Sequence, residues 1–247
     1  MGRCLPECSA SLFRSMFCFT NSPRKRGVLY TCFTSGYDVL FSHTYIDNSF
    51  DYVCFTDDKK LLAKQKSGVW QIRPLAFDRL DNPRNIRWHK ILPHRLFPKY
   101  KLSIWIDTNI DVLTPKLFSQ IDDRKLLLPR HFAVDCIYDE CLRVIRNKKD
   151  TFENVAKVAE LLVDEGMPKH YGMNENNIII RNHHDPKVQK IMQDWWQMIK
   201  DYSHRDQLSL SYILWKNGVE PASISFENAR ADSENYFFMP HRAPTHF

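Results

Sequence analysis

Residues 101–113, KLSIWIDTNIDVL, constrain this chain more than any other stretch. Leu102, Ser103, Ile104, Trp105 and Ile106 form a short apolar run rich in β-formers, the pattern of a buried central strand. The run stops on Asp107, and Asn109 and Asp111 follow at alternate positions. Oxygen-bearing side chains leaving the carboxyl end of a buried strand stand where open α/β sheets bind their ligands. Hard oxygen donors of this kind suit Mg²⁺ or Mn²⁺ shared with a substrate's phosphates. The competing reading is a plain acidic turn capped by Asp107, since short acidic turns are common.

The flanking sequence repeats the pattern. Gly27–Phe33 (GVLYTCF), residues 51–55 (DYVCF) and residues 68–72 read as strands, each running into polar loop residues, with helix-like segments between them. That alternation predicts an α/β domain with a mostly parallel central sheet flanked by helices, spanning residues 27–247 behind a flexible basic arm, residues 1–26. Thr34, Gly36 and Asp57 then share a rim with Asp107 and outline a nucleoside pocket, although each alone is an ordinary turn residue. Residues 124–128 predict a further strand. Residues 150–165 predict an amphipathic helix, with Phe152, Val155, Val158, Leu161 and Leu162 recurring at three and four. Asp185-Pro186 opens another helix, whose stripe of Val188, Ile191, Met192, Trp195, Trp196 and Ile199 reads as core.

Only seven glycines occur in 247 residues, and neither GxGxxG nor GxxxxGK[ST] is present. A nucleotide's phosphates must therefore be met by a metal and basic side chains rather than by a glycine-rich loop. The basic side chains are concentrated in residues 64–101, where ten Lys and Arg face only Asp78 and Asp81. Arg87 and Lys90 stand three apart, so a helix turns both toward the rim as contacts for an anionic ligand. Aromatic residues are interleaved with the basic ones, but no nucleic-acid module is recognisable, so nucleic acid is not the expected partner. Seven cysteines at irregular spacing suggest no disulfide framework and point to a reducing, cytoplasmic setting. No apolar run approaches the ~18–20 residues of a membrane span, and the basic arm leaves room only for peripheral membrane association.

Residues 90–112, KILPHRLFPKYKLSIWIDTNIDV, resemble the signature of the plant TOD/MUCI-type glycosyltransferase-like domain, K-I-L-x-H-R-L-F-P followed by S-I-W-I-D-G. Three further blocks resemble the family in order: CIYDEC with Asp139-Glu140, ENNIIIRNH from Glu175, and RDQLSLSY from Arg205. The resemblance implies a single GT-A-like domain that moves a hexosyl or pentosyl group from a nucleoside-diphosphate sugar, a UDP-sugar in the first instance, to a glycan or other acceptor in polysaccharide biosynthesis. It makes Asp107-Thr108-Asn109 the counterpart of a D-x-D motif for Mn²⁺ or Mg²⁺, with a neutral amide replacing the second carboxylate and Asp111 available to compensate. It makes Asp206 the first candidate for contact with the donor sugar and Glu175 a candidate acid/base; separately, His241 in the polar and aromatic stretch from Asn228 to Phe247 is read as a late metal ligand. Asp206 reads equally as the N-cap of the helix after it, and His131 as an exposed loop residue. Two other readings stay open: a ceramidase-type lipid amide hydrolase, against which the lack of HExxH and GxSxG argues, and a non-catalytic nucleotide-sugar or carbohydrate-binding module.

Overall fold

A computed structural model of the chain describes residues 25–34, 36 and 38–240. The expected α/β architecture is observed. β1 (Gly27–Phe33), β2 (Phe50–Thr56), β4 (Trp70–Pro74) and β5 (Leu102–Ile106) run parallel, and the short β3 (Lys66–Ser67) closes one edge antiparallel to β4. On the far side of β5, β8 (Ile178–Asn182) runs antiparallel to both β5 and β7 (Leu126–Pro129), and β9 (Ser225–Phe226) pairs parallel with β7. The order across the sheet is β3-β4-β2-β1-β5-β8-β7-β9. Because β8 is reversed, its amino end lies on the same rim as the carboxyl ends of β1, β5 and β7. A separate ribbon pairs β6 (Ile110–Val112) with β10 (Tyr236–Phe238).

All seven residues of β1 are buried, as a central strand covered on both faces requires. Val28, Tyr30 and Cys32 enter one core and Leu29 and Phe33 the other, the two-residue alternation of a pleated strand. The first core is closed by helices α2 (Asn82–Ile91), α5 (Ile137–Arg146), α6 (Phe152–Asp164), α7 (Pro186–Asp201) and α8 (Leu210–Lys216). The second packs against the β6–β10 ribbon and α4 (Lys116–Ser119). Short helices α1 (Lys59–Lys64) and α3 (Pro93–Leu96) fill connections.

Local chemistry sets the helix starts. Asp185 accepts hydrogen bonds from the Lys187 and Val188 amides, with Pro186 in the first turn, as its sequence predicts. Trp195 is fully buried, but Trp196 is only partly so. Asp81 caps α2 through the Arg84 amide, and the Arg84 guanidinium bonds the Ile199 and Tyr202 carbonyls, tying α2 to the end of α7. The basic cluster of residues 64–101 therefore contributes to packing as well as to the rim. Among the described residues, no helix is long and apolar enough to cross a membrane.

Candidate functional site

The carboxyl-end rim encloses a cavity of about 350 Å³ between the β1 end, α2, the β5 end, the amino end of β8 and the loop before α8. Arg87 and Lys90 come from the last turns of α2, placed there by the three-residue spacing. Lys90 is 2% exposed, and its Nζ lies 2.6 Å from Asp206 Oδ2 and 3.4 Å from Asp107 Oδ1. Arg87 Nε approaches the same Asp206 oxygen at 3.3 Å. Burial alone would raise the Asp206 pKa, yet the charges of Arg87, Lys90 and Arg205 hold the carboxyl well below the usual carboxylate range. A buried ammonium between two carboxylates thus forms the floor of the site.

Asp107 follows β5 directly. Its Oδ1 accepts from Trp105 Nε1 at 2.7 Å, and its backbone amide donates to the Asn177 carbonyl at 2.9 Å. Glu175, 4% exposed, lies before β8; its Oε2 accepts from Asn177 Nδ2 at 2.8 Å and its Oε1 meets Arg230 Nε at 2.6 Å. Burial raises the Glu175 pKa, and Arg230 and Asn177 pull it the other way. Gln207 accepts from the Asn176 amide and donates to the Asn174 carbonyl, fastening the Asp206 loop to the β8 approach.

Arg87, Lys90, Asp107, Glu175 and Asp206, scattered over some 120 residues of sequence, line one cavity. Thr34 and Asp57 stand just past the ends of β1 and β2 and Gly36 in the loop beyond, outside the lining, which at this end is made by Cys32, Phe33 and Asp38. Asp206 does not cap a helix: it begins a 3-10 turn, and its carboxylate is spent on Lys90 and Arg87. Glu175 is buried before β8, and the His131 side chain is buried rather than exposed. The His131 ring accepts the Ala133 and Val134 amides at Nδ1, and burial, with Arg143 and Arg230 nearby, lowers its pKa to about 4.

Arg143, Lys149, Arg205 and Arg230 also line the cavity, and nothing in the sequence analysis assigned them there. Arg205 lay inside a quoted block and Arg143 one turn beyond Asp139-Glu140, so proximity to those blocks was the available signal. Arg230 carried none. Its guanidinium lies over both the Phe132 and Phe238 rings while reaching Glu175, a contact of 55 residues' separation.

The oxygen donors divide. Asp107 faces the cavity, and its Oδ2 takes neither the Trp105 nor the Lys90 contact. Asn109 lies outside the lining and donates its amide to the Met239 carbonyl at 2.9 Å. Asp111 is engaged by the amide and hydroxyl of Thr44, both at 2.7 Å. His241 lies outside the described residues. Among the described residues no group of three His, Cys, Asp or Glu is placed to hold a metal. An all-protein metal cage does not fit this donor set; one cavity-facing carboxylate does fit an ion whose other ligands are substrate phosphates.

Residues 25–232 match the family model of the TOD1/MUCI70, glycosyltransferase-like domain. A search of curated proteins finds no match. Among solved structures, mouse xyloside xylosyltransferase 1 in its apo form is similar at 12% identity and a TM-score of 0.44, over 82% of this chain and 84% of that one. The galactosyltransferase LgtC, in complex with donor and acceptor sugar analogs, is similar at 9% identity and a TM-score of 0.46, over 82% and 74%. The bifunctional glycosyltransferase WbbM, also apo, is similar at 9% identity and a TM-score of 0.46, over 85% of this chain and 39% of that one.

Proposed function

The chain belongs to the TOD1/MUCI70 glycosyltransferase-like family, and on that premise we propose that it transfers a hexosyl or pentosyl group from a nucleoside-diphosphate sugar, a UDP-sugar first among them, to a glycan or other acceptor. The observation that carries this reading is the convergence of Arg87, Lys90, Asp107, Asp206 and Glu175 on one cavity, two cations beside three carboxylates. Asp107, the one cavity-facing carboxylate of the motif, would hold a divalent ion together with the donor's phosphates. When bound, such an ion supplies positive charge to the departing diphosphate.

The protein's own groups divide the work by their surroundings. Arg87 and Lys90 bind the diphosphate and stabilise the charge that grows on it as the bond to the anomeric carbon breaks. Asp206, kept ionised by Arg87, Lys90 and Arg205, contacts the donor sugar and faces the positive charge developing at its ring. The acceptor hydroxyl oxygen forms the new bond to the anomeric carbon, and its proton passes to Glu175, whose raised pKa suits a proton acceptor. The nucleoside diphosphate leaves with the bonding electron pair. Cys32, Phe33 and Asp38, which line the cavity at the β1 end, would border the nucleoside.

Titration calorimetry with UDP and a panel of UDP-sugars, with and without Mn²⁺, tests the reading. Binding of one UDP-sugar, followed by transfer of its sugar, is the expected result. Absence of binding by any nucleoside diphosphate or its sugar would remove the donor site.

A further inference from the structure

The sheet order lays the site out as a line. Across the rim it runs from the β1 end with Cys32 and Asp38, through Asp107 after β5 and Glu175 before β8, to the loop that leaves β7 at Arg130. That last loop carries His131 and Phe132, and these two residues form a partition. On one side they line the cavity described above; on the other they line a second hollow of about 500 Å³ against the β7–β9 edge. Its floor is apolar, from Met173, Pro221 and Ala222, and the Asp135 and Asp139 carboxylates stand at its wall.

We propose that this second hollow is the subsite for the acceptor, and that the acceptor is an oligosaccharide whose inner sugars rest there while its terminal hydroxyl passes Phe132 to Glu175. The inference rests on the glycosyltransferase reading and goes beyond it by fixing where the acceptor enters and that it is a chain. If the nucleoside lies at the β1 end and the sugar at Asp107 and Asp206, the acceptor reaches Glu175 from the remaining direction, the β7 side. A hydroxyl-rich chain suits a floor of apolar faces beside carboxylates that accept sugar hydroxyls. Phe132 is 51% exposed, held over the Arg143 and Arg230 guanidiniums at 5.3 and 5.6 Å, so an apolar edge is presented between the two spaces without collapsing into either.

The floor is built for close approach. Gly172 has φ +105°, and a Cβ there would meet Pro221 Cβ at 3.3 Å. The Gly172 amide donates to the Asp135 carbonyl, and the His131 amide to the Met173 carbonyl, so backbone hydrogen bonds tie together the segments that line the hollow.

The test pairs Ala222→Trp, at an exposed position outside the lining of the donor cavity, with Phe132→Ala. Each protein is applied to an array of neutral and acidic oligosaccharides of graded length in the presence of UDP, and UDP affinity is measured separately by calorimetry. In the parent, signal is expected to rise with chain length. Ala222→Trp is expected to weaken the longer chains about tenfold, roughly 1.4 kcal/mol, and to leave UDP affinity as in the parent; Phe132→Ala weakens them too. Length-independent binding, unchanged binding in Ala222→Trp, or no glycan binding by a parent that binds UDP overturns the acceptor subsite. Failure of the parent to bind any nucleotide instead overturns the donor reading, and the acceptor subsite falls with it.

Discussion

At Asp206 two forces oppose each other. Burial to 3% exposure disfavours the carboxylate, and three neighbouring cations outweigh it. The folded pKa is thus depressed below the unfolded value near ~3.9. The sign follows: the group contributes stability above that value and loses it as pH falls through the folded pKa. Asp206→Asn removes the carboxylate that faces both Lys90 and Arg87, leaving buried Lys90 only the more distant Asp107, and is expected to cost about 3–5 kcal/mol at neutral pH. Urea denaturation should show the gap from the parent narrowing below about pH 4. Asp107 is a milder case, its side chain 34% exposed and its backbone, rather than its carboxylate, joined to the β8 approach. Asp107→Ala is expected to keep the parent's thermal unfolding profile to within a few degrees and to lower transfer by about 10²–10³-fold. Folding intact with full transfer would remove Asp107 from the site. Both residues were visible in the sequence, one after a β run and one inside RDQ. Arg230 was not, because nothing local marks a residue whose partner lies 55 positions away.

At the scale of elements, the position of α2 decides whether Lys90 reaches the floor. The Lys90 carbonyl is among the last four of the helix, which lack partners inside it. Tyr30 of β1 donates its hydroxyl to that carbonyl at 2.8 Å, and the buried Arg181 of β8 donates to both Tyr30 Oη and the same carbonyl. The two strands thereby clamp the end of the helix that carries the site's cations. Tyr30→Phe is expected to cost about 1 kcal/mol, read as a lowered denaturation midpoint, and to weaken nucleoside-diphosphate binding. A stability loss with unchanged binding would confine the clamp to packing. Strong periodicity made the elements themselves legible, with β1 matching its expected limits and α7 starting on its expected cap. The apolar part of the ENNIIIRNH block is the strand Ile178–Asn182, and the polar residues before it are tied down by tertiary contacts: the Asn174 side chain to Ser225, the Glu175 amide to the Pro129 carbonyl, and the Asn176 amide to Gln207.

Across the whole molecule, several histidines are buried neutral. Burial lowers the pKa of both His89 and His183 to about 4. In the unfolded chain they protonate near ~6.5, so the unfolded state binds more protons between these values. Stability is therefore present above about pH 6.5 and is lost as pH falls toward about 4. The melting temperature should drop across that window, and His183→Gln, which keeps a side chain able to hydrogen-bond Ser103, should flatten the drop. An unchanged slope in that variant would place the acid sensitivity elsewhere.

Patterns of adjacent residues settled the α/β class, the central strand, the rim, and the pairing of Arg87 with Lys90, because pleat, helix turn and cap are local geometry acting over a few positions. Folding decided what depends on strand order. The reversed β8 brings Glu175 to the rim, Arg230 returns from the C-terminal region to hold it, Asn109 turns to Met239, and the β7 loop divides two hollows. Those contacts join residues far apart in the chain, and only packing the sheet and its helices brings them within hydrogen-bonding reach.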